Sequence, residues 1–446
     1  MKPHRTLGGD DRRVWLIIAA MAVVALLFIP LSQALLGLRF TYTVRVVALG
    51  GSILGVLSGA LGCFAVLRGE SLLGDALSHA ALPGVAIAFL LAGRELSALL
   101  IGAGIASWLG LRFVSALLAT TRIKRDAALG IVLASWFAFG IALLAYIQSI
   151  PDASQAGLDH FIFGQAAAII ESDVMLVSAV GAIALLVLFL FWKEFKLVTF
   201  DSEFAGANGF RVGLINTLLS TLIVVTIVLG LQLAGVILMV GMVIAPGIAA
   251  RQWTHKLDQM VILAAVFGAF AGGLGAVISA LDRDIPTGPM IIVAAFVLVL
   301  ISLTLAPGRG LIWRRLRQRQ NQRAFAARNT LRDLYRYALA HGAANKPAPD
   351  SFIRGVGDRS AALGLRQLRS EGHITLGAAG WQLSESGIAL ARNDLRNQRL
   401  WDLYRRYAHE LGLPAMAEER GQEIAALLPA DALARLQAKL EEGADS

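Results

Sequence analysis

The sequence predicts an all-α polytopic membrane protein of about ten transmembrane helices, followed by a cytoplasmic α+β domain. Of the 446 residues, 57% are hydrophobic and only 16% are charged, whereas an ordinary soluble domain has fewer apolar and more charged residues. Apolar runs of helix length recur as far as Ala306. Beyond Pro307 the chain is rich in Arg, Glu and Asp at helical spacing, which indicates a soluble part.

Ten apolar segments make up the membrane part, and each approaches the ~20 residues that a helix needs to cross the hydrocarbon. They lie at 14–36, 44–66, 72–92, 96–118, 127–148, 173–192, 212–232, 234–250, 259–280 and 288–306. The connections TRIKRD, WKEFK, RQWTHK and RRLRQRQ carry clustered Lys and Arg, whereas LLGLRF, GRELS and LDRDIPTG are poorer in net positive charge. By the positive-inside tendency, we expect both termini to be cytoplasmic.

An ionisable pair interrupts the third segment. The stretch RGESLLGDALSHAALPG places Asp75 and His79 in a helix that must start near Ser71 to span the membrane. Ionisable residues inside a span are costly, ~2.5–3.5 kcal/mol for Asp on insertion scales, and usually face a polar pathway. The i, i+4 spacing puts both side chains on one helix face. Pro83 predicts a helix kink that frees the carbonyl of His79 towards the same region.

Three explanations of this pair are open. A carboxylate and an imidazole on one face can bind a divalent transition metal, and a proton relay would use the same two groups. Alternatively, Asp75 orients His79 and both hold helices together with the help of Ser78 and nearby backbone. We favour contact with a transported ion, whose remaining ligands would come from another helix, a second subunit or water.

The sequence contains no G-x-x-x-x-G-K-[ST] motif, so ATP-driven transport would need a nucleotide site on another polypeptide. That polypeptide would need a docking surface. The best candidate is FDSEFAGANGFRVGLIN, residues 200–216, a cytoplasmic loop with a short helical stretch and glycines at 206 and 209 for turning. The alternative is a plain connection between two helices.

These stretches resemble a known family. VLRGESLLGDALSHAALPGVAIAFLL resembles the signature of the metal-ion branch of ABC-transporter permeases, which import zinc, manganese or iron. FDSEFAGANG followed by LAGVILMVGMVIAPGIAA resembles that family's coupling loop and later spans, and the likeness covers roughly residues 14–306. It implies a type II ABC importer-like permease in the inner (plasma) membrane.

The resemblance also implies roles for individual residues. Asp75 and His79 match the positions that contact the metal transiently in the translocation path, with no permanently bound cofactor. The positions of the ATPase coupling loop match Glu203, Ala205, Gly206 and Gly209. These residues do not predict which metal is transported, because an Asp/His pair suits manganese, zinc and ferrous iron alike.

Several partners follow from the same resemblance. An ABC ATPase subunit would hydrolyse ATP, so the permease itself would be a transport subunit and not an enzyme. An extracytoplasmic metal-binding protein would deliver the ion, and a second permease subunit would complete a homo- or heterodimer.

Beyond the permease domain, residues 1–306, the chain divides into a basic linker at 307–328 and a domain at 329–446. The run WRRLRQRQNQR predicts a juxtamembrane helix that rests on anionic lipid head groups. The later domain reads as helix, turn, helix, a two-strand wing and a long helix, and it resembles the winged-helix half of iron- or manganese-dependent repressors. In its second helix, Ala362, Leu365 and Leu368 are expected to face the core, and Gly372 to end the helix.

Arginines on that helix, Arg359, Arg366 and Arg369, are candidates for contacts with DNA or an acidic partner. The stretch PAMAEERGQEIAALL lacks the histidine ligands of such repressors, so we do not expect metal sensing. Because a membrane-tethered protein searches little of a genome, we expect a regulatory or assembly role beside the ATPase and not DNA binding.

Two other functions are open. A permease for a metal chelate, such as a siderophore or corrinoid, would use the same general fold but tolerate the loss of Asp75 and His79. A membrane-anchored winged-helix regulator would use the spans as a tether, for which ten spans and a buried ionisable pair are excessive. The favoured function is therefore the permease subunit of a binding-protein-dependent ABC importer for a divalent transition metal.

Overall fold

The structure is a computed structural model in which the chain divides into two compact units, residues 1–313 and 314–446. The first unit is helical throughout its described part, and the second adds one small hairpin. The predicted span at 14–36 lies outside the described residues. The residues described are 42–70, 72–93, 95–150, 170–281, 285–307, 309–356, 359–413 and 423–442.

In the described part of the first unit, eight helical segments are long and apolar enough to cross a membrane, and each matches one of the predicted spans. The helices of this unit are α1 (Tyr42–Leu67), α2 (Leu73–Ala92), α3 (Leu96–Thr120), α4 (Arg125–Gln148), α5 (Glu171–Leu190), α6 (Trp192–Phe200), α7 (Ser202–Ala207), α8 (Val212–Arg251), α9 (Leu257–Ser279) and α10 (Thr287–Leu305).

Helix α8 is broken at Gly235, whose φ of 75° and ψ of 170° are not helical. A positive φ of this kind costs glycine little but strains other residues, so glycine permits the break. On either side lie Val212–Leu231, one of the eight membrane-length segments, and the shorter apolar helix Met239–Arg251. The predicted spans 212–232 and 234–250 therefore meet at this residue.

The centre of the first unit is a close contact between α1 and α9. A Cβ atom added at Gly55 would collide with the carbonyl oxygen of Gly268, and one added at Gly268 would collide with that of Gly55. Gly51 and Gly272 make a similar pair one turn away. In lipid, the hydrophobic effect does not drive helices to associate. Small residues favour association instead, because they let the two backbones pack closely.

Replacing Gly55 with Ala should lower the thermal unfolding midpoint of the purified protein in detergent. The added methyl has no space, and overpacking of a core costs ~1–3 kcal/mol. Gly104→Ala is the matched control, because a Cβ there meets open space. Equal midpoints for the two variants would contradict the packing of α1 on α9.

The second unit begins on one long helix that also carries the basic run. Its elements are α11 (Leu311–Ala340), α12 (Asp350–Val356), α13 (Arg359–Ser370), β1 (Ile374–Gly377), β2 (Gly380–Leu383), α14 (Glu385–Tyr407), α15 (Ile424–Leu427) and α16 (Ala430–Glu442). The two strands pair antiparallel, with Ile374 opposite Leu383. The order helix, helix, hairpin, long helix is the predicted one.

Two apolar clusters stabilise this unit. Leu331, Leu334 and Leu368 belong to the first, which joins α11 to α13 and the hairpin. The second joins α14 to α16 and includes Trp401 and Leu436. An ion pair between Arg332 Nε and Asp394 Oδ2, 2.5 Å apart, connects α11 to α14.

The buried face of α13 differs by one residue from the prediction. Leu365 and Leu368 are buried as expected, but Ala361 is the third buried apolar residue and Ala362 is exposed. The prediction for Ala362 was wrong, because the spacing 361, 365 and 368 follows a helix face as well as 362, 365 and 368 does. Gly372 has a φ of 77° just after the helix ends, as expected of a glycine terminator.

Candidate functional site

The turn before α2 fixes where this helix begins. Gly69 has a φ of 70°, and the amide of Glu70 donates to the carbonyl of Ala65, 2.9 Å away, which ends α1. The carbonyl of Glu70 then accepts from the amide of Leu73 at 3.1 Å. Helix α2 therefore starts at Leu73, and Asp75 lies in its first turn. A carboxylate is favoured there, because the free amides at a helix N-terminus carry partial positive charge.

Asp75 and His79 face each other on α2. The distance from His79 Nε2 to Asp75 Oδ1 is 3.2 Å. The His79 side chain is 20% exposed and that of Asp75 is 33% exposed. The edge of the Phe137 ring from α4 meets the imidazole ring, with centroids 4.7 Å apart. His79 Nδ1 is buried and has no hydrogen-bond partner among the described residues. The pair is thus neither exposed on all sides nor fully satisfied by protein.

Close contacts with α3 and α4 hold α2 in place. A Cβ on Gly84 would collide with the carbonyl oxygen of Gly102 on α3, and a Cβ on Gly140 of α4 would lie 3.0 Å from Pro83 Cδ. Ser107 Oγ donates to the carbonyl of Leu77 at 2.9 Å. Pro83 lies inside α2, which continues as one helix to Ala92.

The described residues contain no group of three or more His, Cys, Asp or Glu side chains able to hold a metal ion. Within them, Asp75 and His79 are the pair that the structure brings together inside a membrane-length helix. An ion bound here would need further ligands, as the sequence indicated.

A second charged cluster, which was not among the predicted site residues, lies directly before α2. Glu70 is buried, only 3% exposed, and pairs with Arg125, the first residue of α4. Arg68 lies nearby, with Nη2 buried and without a partner among the described residues. Burial lowers the pKa of the Arg68 guanidinium, and the neighbouring Glu70 opposes that shift. The sequence feature that could have predicted this ion pair is the charge just before each of two predicted spans, Glu70 before 72–92 and Arg125 before 127–148.

The loop between α6 and α8 presents a short helix to solvent. Asp201 caps α7, because its side chain accepts from the Phe204 amide at 2.8 Å. Ala205 is buried, whereas Glu203 and Gly206 are exposed. Phe200, Phe204 and Phe210 are also exposed, and Gly209 turns the chain with a φ of 83°. The loop is therefore a small ordered surface with aromatic side chains available for contact.

Asp201→Ala should loosen α7, since the loss of an N-cap costs ~1 kcal/mol. The Phe204 amide loses its acceptor, so its hydrogen exchange should be several times faster when measured by mass spectrometry on the intact protein. Asp201→Asn is the control, because asparagine caps equally well. Unchanged exchange in the alanine variant would contradict the cap.

The candidate arginines of the second unit lie on α13. Arg366 and Arg369 are exposed, while the side chain of Arg359 lies outside the described part. A cleft of about 510 Å³ separates α11 from α13. Its lining residues are Gln320, Arg323, Leu363, Arg366, Gln367, Ser370 and Glu371. Glu371 lines the cleft together with the arginines, so the cleft carries both negative and positive charge.

Residues 39–306 match the model of the ABC 3 transport family. The chain belongs to this family. The match covers all eight membrane-length segments and both candidate regions, the pair on α2 and the loop around α7. The family resemblance deduced from the α2 signature is therefore confirmed.

Similar proteins include two curated transport proteins. The zinc transport system membrane protein TroC of Treponema pallidum is 45% identical over 289 residues, which are 65% of this chain and 97% of TroC. The manganese transport system membrane protein MntC of Bacillus subtilis is 36% identical over 402 residues, 88% of this chain and 90% of MntC. Because 402 exceeds the 313 residues of the first unit, the likeness to MntC continues into the second.

A solved structure supports the fold of the first unit. PsaBC from Streptococcus pneumoniae, determined in complex with Fab, has a TM-score of 0.55 and 34% identity. The likeness covers 63% of this chain and 97% of the compared chain.

Proposed function

We propose that this protein is the permease subunit of an ABC importer that moves a divalent transition metal, manganese or zinc, into the cell. The observation that carries the proposal is the Asp75–His79 pair inside a membrane-length helix. The names of TroC and MntC, a zinc and a manganese transport protein, support the choice of cargo. Iron, the third ion suggested by the sequence, is also compatible with an Asp/His pair.

The geometry of the pair fits one ion bound between the two groups. Metal–ligand bonds of ~2.0–2.2 Å put neighbouring donor atoms about 2.8 to 3.6 Å apart in octahedral or tetrahedral geometry. The observed 3.2 Å from His79 Nε2 to Asp75 Oδ1 lies in that range. The two side chains would need little rearrangement to take up the ion.

An incomplete site suits transport. Two ligands from one helix bind an ion weakly enough to release it, while water or a second subunit completes the coordination shell. A permanent structural site would instead close four protein ligands around the metal. The partial exposure of both side chains leaves room for such additional ligands.

His79→Ala and Asp75→Ala should each reduce metal uptake by cells with matched expression. Loss of a residue that only orients a metal ligand costs ~10–100-fold, so loss of a direct ligand should cost at least as much. Uptake of manganese, zinc and iron would be measured singly and in competition. His409→Ala is the control, because His409 is exposed in the second unit.

The result also separates this function from transport of a metal chelate. A chelate shields its metal with organic ligands, so such a permease should tolerate both alanine variants. Unchanged uptake of all three ions in the two variants would contradict a direct metal contact.

We propose the loop around α7 as the docking site of a separate ABC ATPase. Its exposed Phe204 and Phe210 offer apolar contacts, and the buried Ala205 anchors the short helix to the rest of the unit. Glu203 is exposed beside them and can pair with a basic residue of the partner. An extracytoplasmic metal-binding protein and a second permease subunit would complete the importer in the inner membrane, with both termini of this chain in the cytoplasm.

For the second unit we propose a winged-helix-like cytoplasmic domain with a regulatory or assembly role beside the ATPase. The order of its elements and the two-stranded hairpin support this assignment. The basic start of α11, including the half-exposed Trp313, would rest on anionic lipid head groups.

DNA should not be a specific partner of this domain. Full-length protein in lipid nanodiscs should bind genomic DNA fragments only at the non-specific level, with Kd of ~10⁻⁴–10⁻⁶ M. The variant Arg366→Gln/Arg369→Gln should change DNA binding to the same extent for every sequence. Selective enrichment of one sequence, lost in that variant, would instead support a membrane-anchored regulator.

A further inference from the structure

Helix α4 contacts the turn before α2 and then α2 itself, at three successive levels. The order of the contacts is the same in both segments, so the two helices run parallel and begin at the same side of the unit. The contacts, from their starts onward, are Arg125 with Glu70, Phe137 with His79, and Gly140 with Leu82 and Pro83. One helix therefore touches both the charged turn before α2 and the imidazole of the proposed metal contact.

The first of these contacts neutralises a buried charge. The side chain of Glu70 is only 4% exposed, whereas that of Arg125 is 53% exposed. A buried carboxylate is stable only when it is paired, and removing its partner leaves an uncompensated charge. Arg68 lies nearby, but its buried Nη2 has no hydrogen-bond partner among the described residues. Arg125 is thus the residue that both pairs with Glu70 and belongs to another helix.

Glu70 lies in the turn directly before α2, close in the chain to the proposed metal contact. Its carbonyl accepts from the amide of Leu73, two residues before Asp75. The connection TRIKRD, just before α4, is rich in positive charge, so the positive-inside tendency places it in the cytoplasm. Because α2 and α4 begin on the same side, the start of α2 faces the cytoplasm as well. An ion that leaves Asp75 towards the cytoplasm therefore meets the level of Glu70 next.

We propose that Glu70 and Arg125 form the cytoplasmic latch of the ion path, an inference that rests on the proposed function. While the pair is closed, α4 stays against α2 and Arg125 occupies the Glu70 carboxylate. When α4 moves away, the carboxylate is released and becomes the next contact for the departing cation. Arg125 is a positioning residue here, because the closed pair acts through the placement of α4, whereas the released Glu70 carboxylate contacts the cation itself.

The latch predicts a leak when the pair is removed. The intact importer, with its ATPase, would be placed in vesicles that contain a fluorescent metal indicator, and Mn²⁺ would be added without ATP. Arg125→Gln should admit Mn²⁺ roughly tenfold faster than wild type, within the usual range of coupling between two states. Arg125→Lys should restore tightness, because it keeps the charge.

Two further variants separate a latch from a fold defect. Lys124→Gln removes the same charge from the neighbouring exposed residue and should remain as tight as wild type. Glu70→Gln/Arg125→Gln removes both charges of the pair, and Arg68 then loses its neighbouring carboxylate. The thermal unfolding midpoint of each variant is therefore measured beside the leak. This double variant should admit Mn²⁺ without ATP as fast as Arg125→Gln does. If the ion pair served stability alone, the double variant would admit Mn²⁺ no faster than wild type.

The outcomes distinguish the latch from the function on which it rests. If wild type takes up Mn²⁺ with ATP, and Arg125→Gln and the double variant are as tight as Lys124→Gln, the latch is wrong and the proposed function stands. If wild-type vesicles accumulate neither Mn²⁺ nor Zn²⁺ with ATP, the proposed function fails and the latch fails with it.

Discussion

The membrane unit must hold two ionisable side chains, Asp75 and His79, inside one of its apolar membrane-length helices. A charge in a low-dielectric interior must be paired or hydrated, and Asp75 and His79 meet this requirement by facing each other across one turn of α2. The start of the helix at Leu73 adds the favourable field of free amide groups near Asp75. The position of that start is therefore part of the site, and it is fixed by the glycine turn that ends α1.

Two carboxylates in this region have different surroundings. Glu70 is almost fully enclosed and pairs with an arginine of another helix. Asp75 is one-third exposed and pairs with a histidine on its own helix. The enclosed pair joins two helices, whereas the partly exposed pair leaves room for the proposed cation. Both are reached by α4, which links them.

Backbone contacts through glycine make these placements possible. Gly55 and Gly268 bring α1 against α9, while Gly84 and Gly102 bring α2 against α3. Apolar side chains alone would not select these contacts, because lipid solvates them as well as protein does. Close backbone packing instead fixes rotation and depth, and these decide which side chains of neighbouring helices meet. Gly235 has a different role, because there glycine allows a non-helical backbone conformation that breaks α8.

The sequence by itself determined eight of the ten predicted membrane segments, the shared face of Asp75 and His79, and the order of elements from α12 to α14. These properties follow from segment length and helical period, which are local. Only the tertiary structure decided that Glu70 meets Arg125, that Phe137 covers His79, and that Ala361 rather than Ala362 faces the core. The physical reason is that such contacts depend on how each helix is rotated and how deep it lies against its neighbours. Packing across the whole bundle sets both quantities, and no local pattern records them.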